Sequence, residues 1–137
     1  MESRDGMVWA AIAVGGVVGA WIRWSLALLV QHASKNRPRP FDPSRATLCA
    51  NILGCFLLGV FLAHPSLLEP PSHGWRAAAL PAFATTGLCG SLSTFSTLCS
   101  DAVRRARAAP GRGAVLYLLA HLAGGPLALW LGSTIPG

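Results

Sequence analysis

Residues 85–101 read TTGLCGSLSTFSTLCSD. Thr85, Thr86, Ser91, Ser93, Thr94, Ser96, Thr97 and Ser100 make half of the first sixteen positions hydroxyl-bearing, and the stretch is uncharged until Asp101. Gly87, Gly90 and Ser91 fall at its middle. Glycine weakens a helix by about 1 kcal/mol relative to alanine, and neighbouring hydroxyls can take up the backbone groups such a weakening frees. Two arrangements answer to this composition. One is a helix packed closely through its small residues, with hydroxyls bonded back onto their own turn. The other is a broken helix whose free carbonyls and hydroxyls face an ion path. Carbonyls at a break would suit a small cation, and O–H groups an anion.

Working outward, the stretch lies in the third of four apolar segments, which run over about 7–30, 46–63, 75–100 and 114–132. A bilayer core takes about 20 apolar residues of helix. The second and fourth segments carry no charge, and the first carries only Arg23. Between them lie HASKNRPRPFDPSR (His32 to Arg45), HPSLLEPPSHG (His64 to Gly74) and DAVRRARAAPGRG (Asp101 to Gly113), which read as loops by proline, glycine and charge content. The expected fold is all-α and membrane-integral: one domain over 1–137 with four transmembrane helices and almost no mass outside the bilayer. The first segment is too long for a signal-peptide core and no small-residue cleavage site follows it, so it is expected to stay as a span.

Composition supports the same class. Of 137 residues 53% are hydrophobic and 12% charged, against about 25% charged in a soluble domain. This argues against both a water-soluble monomer and a disordered chain. The four cysteines sit inside apolar stretches and read as small buried hydrophobes, without metal-ligand spacing. The net charge of +6 is clustered. Lys35, Arg37, Arg39 and Arg45 fall in the first connector, and Arg104, Arg105, Arg107 and Arg112 in the third. Only Arg4 and Arg76 fall on the opposite side. By the positive-inside rule both basic connectors are expected in the cytoplasm and both termini outside. Topology accounts for the charge without a nucleic-acid partner, since no aromatic interleaving or recognition module accompanies it.

Few strongly polar residues lie inside the segments. Asn51 is costly at that depth unless paired, and its amide offers two donors. An interhelical hydrogen bond and a pore role are both open to it. Ala50, Gly54 and Gly59 in the same segment point to tight packing. Arg23 lies about 10 Å from the end of its segment at 1.5 Å per residue, within reach of an arginine that extends to the interface. An anchor is the simpler role for it, and an anion-attracting vestibule the other. Asp101 reads as a helix-end charge or surface ion pair beside the basic connector. His121 is the one histidine at a segment centre, one turn from Tyr117 on the same face; a packed neutral imidazole is its plain reading. No second carboxylate accompanies Asp101 for acid–base work, and serines are too abundant for a triad to carry information. No enzyme is expected.

Taken together, the chain resembles the Fluc (CrcB) family of fluoride channels over nearly its whole length. GGVVGAWIRW (Gly15 to Trp24) is similar to that family's opening glycine-rich helix with its arginine, and ATLCANILGCFLLG (Ala46 to Gly59) to its second helix with the pore asparagine. TTGLCGSLSTFSTLCSD is similar to its broken third helix and is the most specific of the matches, and a helix with Tyr117 follows at the expected distance. The resemblance implies an antiparallel dimer in the cell membrane with two narrow fluoride pores. It implies a structural Na+ at the dimer centre, held by the backbone carbonyls of Gly90 and Ser93. It implies fluoride contacts from Asn51 and the positive edge of Phe95, with Thr94, Ser96, Thr97, Tyr117 and the position of His121 along the path. Fluoride is small and strongly hydrated, so a path for it needs donors that replace water.

The chain departs from the family pattern at four places. Leu98 stands where a second phenylalanine is usual, His121 where a serine is usual, Ser93 for a threonine and Asp101 for a glutamate. An opposed homodimer needs a chain that inserts both ways, whereas basic residues here divide eight to two. The expectation is therefore a fixed topology and pairing with a related, oppositely oriented subunit, with an antiparallel homodimer as the alternative. Two other classes compete with a channel: a small four-helix multidrug exporter, which needs a membrane-embedded carboxylate, and a non-conducting structural or assembly subunit.

Overall fold

The computed structural model describes residues 2–35, 42–68, 76–108 and 111–136. Helix α1 (Glu2–Ser34) leads to α2 (Ser44–Ala63) and a 3-10 turn (Pro65–Leu67). The third segment follows in pieces: α3 (Arg76–Pro81), a π-helical stretch (Ala82–Cys89), the single turn α4 (Gly90–Leu92) and α5 (Phe95–Ala108). Helix α6 (Arg112–Ser133) ends the fold, and no strand occurs among the described residues. Within α1, α2 and α6, residues 5–34, 44–63 and 112–133 are long and apolar enough to cross a membrane. The third segment passes alongside them as shorter pieces. Pro81 contributes no amide to the helical ladder, and the wide turns begin directly after it. The Thr85 hydroxyl closes back on the Pro81 carbonyl at 2.8 Å.

Small residues make the contacts between helices. Helices α2 and α6 run side by side in the same direction. A Cβ on Gly59 would overlap the Leu129 carbonyl, and one on Gly132 the Phe56 carbonyl. On the other side, α1 packs on the π-helical stretch. A Cβ on Gly87 would stand 2.6 Å from the Ile12 carbonyl and 3.0 Å from the Gly15 Cα. The Ser91 hydroxyl donates to the Gly16 carbonyl at 2.7 Å. Ala46, Ala50, Ala79, Ala84, Ala114 and Ala128 are buried, while Trp9, Val17, Trp21, Trp24 and Leu122 are exposed. Small inside and large outside is the pattern of helices packing in lipid, where apolar burial drives no association and close backbone approach does.

Several expectations are corrected here. The helices reach into the connectors: α1 continues through Ser34, α2 begins at Ser44, and α5 runs on to Ala108. DAVRRARA is rich in alanine and arginine, both strong helix formers, so charge there marks a helix face rather than a loop. Arg37 and Arg39 of the first connector, and residues 69–75 of the second, lie outside the described residues. Of the cysteines, Cys89 is buried and Cys55 half-buried, but Cys49 and Cys99 are exposed. Gly87 serves contact with α1, and the interruption itself falls later, at Ser93 and Thr94.

Candidate functional site

The interruption between α4 and α5 begins where Ser93 takes an extended conformation (φ −81°, ψ 146°). The Thr94 amide donates to Asn51 Oδ1 at 2.7 Å. Asn51 Nδ2 in turn donates to the Thr94 carbonyl at 3.4 Å. Because a backbone N–H can only donate, the first contact fixes which way the Asn51 amide faces. The side chain therefore stands in for the peptide partners that a continuous helix would supply. Its second amide hydrogen meets no acceptor among the described residues. Helix α2 comes this close because position 54 is glycine: a Cβ there would lie 3.3 Å from Ser93 Cβ.

Four carbonyls, from Gly90 to Ser93, lose their helical partners as a result. In an unbroken helix the Thr94 amide would bond to the Gly90 carbonyl and the Thr97 amide to the Ser93 carbonyl. The first is given to Asn51, and the second goes to the Thr94 hydroxyl at 3.4 Å. Carbonyl oxygens are the donors a hard cation prefers, so Gly90 and Ser93 suit the expected sodium by chemistry, as do Ser91 and Leu92 between them. No cluster of His, Cys, Asp or Glu among the described residues competes for a metal. The Thr94 hydroxyl also lies 3.2 Å from that of Ser96 and 3.1 Å from that of Thr97, giving three exposed hydroxyls at the start of α5. The Ser93 hydroxyl is bonded back to the Cys89 carbonyl at 2.9 Å.

A cavity of about 220 Å³ opens beside the break, and Asn51, Cys55, Thr94, Phe95, Leu98 and His121 are among the residues lining it. Phe95 is 78% exposed. His121 reaches the cavity from α6, with its ring 4.5 Å from that of Tyr117 in an edge-on arrangement. The structure thus brings Asn51, Thr94, Phe95 and His121 together, with Ser96 and Thr97 joined through hydroxyls. Arg23 is apart: it lies half-buried on α1, without a hydrogen bond or ion pair to the other described residues.

Asp101 corrects the sequence reading most. It is 6% exposed, and it links three helices rather than decorating a surface. Its Oδ2 accepts from the Thr47 hydroxyl at 2.7 Å and the Tyr117 hydroxyl at 3.3 Å, while Oδ1 takes Arg104 at 2.7 Å. The Tyr117 hydroxyl is therefore directed at Asp101. Arg105 stacks over the Tyr117 ring at 4.8 Å and reaches Ser44 and Asp42. Burial raises the Asp42 pKa, but bonds from the Ser44 hydroxyl and amide, and the charges of Arg105 and Arg104, outweigh it and hold the pKa below the ordinary value. Sequence reasoning missed Thr47, Ser44 and Asp42. Their partners lie some fifty to sixty residues away, and no local pattern announces such a meeting.

The geometry can be set beside known proteins. The family model described as CrcB-like protein, Camphor Resistance (CrcB), matches residues 10–133. A fluoride-specific ion channel FluC from Cupriavidus pinatubonensis is 39% identical over 126 residues, 89% of this chain and 88% of that protein. One from Ralstonia pickettii is 37% identical over 132 residues, 93% of each. One from Marinobacter nauticus is 36% identical over 122 residues, 89% of this chain and 88% of that protein.

Proposed function

The chain belongs to the CrcB family, whose relatives are fluoride-specific ion channels, and from that premise we propose how its residues pass fluoride through a membrane. It is a fluoride channel and not an enzyme. The observation that carries the mechanism is the exchange of bonds between Asn51 and Thr94. It holds the break open, leaves one amide hydrogen unspent beside a cavity, and groups the hydroxyls of Thr94, Ser96 and Thr97 at the same place. Those O–H and N–H groups replace fluoride's water. The edge of Phe95 adds positive potential without a full charge, and no fixed lysine is there to trap the ion. Tyr117 acts from behind, holding Asp101 and the ring of His121.

The working unit is an antiparallel pair in the plasma membrane, with both termini of this chain outside. The high exposure of Phe95, and the open apolar groove of about 530 Å³ between α5 and α6 that it lines, support a second chain against this face. Gly90 and Ser93 from each chain would hold a structural sodium through their backbone carbonyls; a cation there supplies positive charge that fixes two broken helices against one another. The basic bias favours a related, oppositely oriented partner over a second copy. Fluoride leaves the cell down its electrochemical gradient, which limits its toxicity inside. The embedded carboxylate that a proton-coupled exporter needs is not free here, since Asp101 is bonded to Thr47, Tyr117 and Arg104.

The test is fluoride efflux from liposomes holding this chain alone in sodium buffer, with chloride as control. Fluoride-selective efflux is expected to be weak from the chain alone and strong after co-reconstitution with a related subunit of opposite charge bias. Strong efflux from the lone chain overturns the two-chain reading, and equal passage of chloride overturns the selectivity.

A further inference from the structure

We infer that one stripe of α5 holds an anionic phospholipid, with the headgroup phosphate between Arg104 and Arg107 and an acyl chain lying over Val103, Ser100 and Cys99. The site needs only a chain embedded in a membrane, and it stands or falls apart from the passage of fluoride. The first observation is an open groove of about 470 Å³ lined by Cys99, Ser100, Val103, Arg104 and Arg107. These positions recur three and four residues apart, so they form one stripe along the helix. The stripe is graded, with three uncharged residues followed by two arginines, and all five are exposed. It shares no residue with the groove between α5 and α6 beside Phe95, so a second chain seated there does not fill it.

The second observation is depth. Helix α2 has 20 residues, about 30 Å at 1.5 Å per residue, which matches the hydrocarbon thickness of a bilayer. Ser44 opens that span, and Arg105 bonds to its hydroxyl at 2.8 Å. Arg104 and Arg107 flank Arg105 in the chain and therefore lie at the edge of the hydrocarbon, where lipid phosphates are. Cys99 stands two turns deeper than Arg107, about 12 Å down the helix, at the level of acyl chains. The third observation is unspent charge. Arg104 gives one nitrogen to Asp101 at 2.7 Å, yet its side chain stays 51% exposed. A guanidinium has five donor hydrogens, so most of them are free. Arg107 is exposed and makes no ion pair among the described residues. No carboxylate lines the groove; Asp101 is buried and Asp42 is tied to Arg105. Guanidinium groups match phosphate oxygens with paired N–H bonds. A zwitterionic headgroup would bring its own cation to these arginines, whereas an anionic one does not.

The experiment titrates the purified protein in detergent with phosphatidylglycerol, or with phosphatidylcholine of the same acyl chains, and counts bound lipid by native mass spectrometry. The first phosphatidylglycerol per chain is expected to bind about fivefold tighter than the first phosphatidylcholine, the worth of one basic residue at a charged surface. Arg107→Gln is expected to erase that preference; glutamine forms helix about as well as arginine, so α5 is kept. Arg112→Gln removes the same charge at the start of α6, outside the groove, and is expected to keep the preference. Equal binding of the two lipids by wild type, or none of either, overturns the site. An equal loss in the two variants overturns it as well, because net charge is then the cause. A lower dimer fraction in Arg107→Gln with lipid binding unchanged overturns it in favour of a second chain on this face.

Discussion

Asn51 answers two demands with one amide. Its carbonyl oxygen receives the Thr94 amide at 2.7 Å, and its nitrogen has a hydrogen to spare. The two can be separated by substitution. Asn51→Asp keeps an oxygen for Thr94 but removes the donors, so fluoride efflux is expected to fall by more than about tenfold while the protein stays monodisperse in detergent. Asn51→Ala leaves the Thr94 amide unpaired, at a cost of about 1–3 kcal/mol, and is expected to lose thermal stability as well as flux. Asp101→Ala orphans two hydroxyls and is expected to cost about 2–4 kcal/mol, read as a lower midpoint of thermal unfolding, whereas Tyr117→Phe costs about 1 kcal/mol. Asn51 was legible in the sequence because an amide in an apolar segment stands out. Asp101 was misread because its position at a segment end resembles an ordinary helix terminus, and only the meeting of α2, α5 and α6 buries it.

Helices in this chain are placed by what they lack. Gly59 and Gly132 let α2 and α6 touch backbone to backbone. Gly59→Val is therefore expected to abolish a monodisperse peak on size-exclusion chromatography. Gly113→Ala is the matched control: nothing lies within 4 Å of a Cβ there, and alanine in a helix gains about 0.5–1 kcal/mol over glycine. The spans were legible from hydropathy alone, but their ends were not. Proline and charge mark connectors well only where they are not also helix formers, and the arginines and alanines of α5 are both. The Asp42–Arg105 contact shows the same limit, since it ties the start of α2 to the later half of α5. The Asp42 pKa lies below its ordinary 3.8. Its contribution is therefore present in full above that value and is lost as pH falls through the depressed one. Wild type is expected to lose thermal stability more steeply than Asp42→Asn below about pH 4.

At the scale of the molecule, the start of α2 and the end of α5 lie together at one end, since Asp42 and Ser44 meet Arg105. His64 beside the Ile135 carbonyl marks the other end. Charge is thus concentrated where the positive-inside rule acts. A reporter fused at the C-terminus is expected to label one side of the membrane almost alone. Arg107 and Arg112, exposed and outside the polar cluster, can be changed to glutamine to weaken the bias, and the labelling is then expected to spread to both sides. The seam between α2 and α6 has a consequence in time. Gly59 and Gly132 stand about 70 residues apart, and a ribosome adds about 5–20 residues each second. For roughly 4–15 s, then, the newborn α2 waits in the bilayer with its narrow groove uncovered, and for about 2–9 s of that Asn51 waits for Thr94, 43 residues further on. Until the last span emerges, the insertion machinery must shelter it.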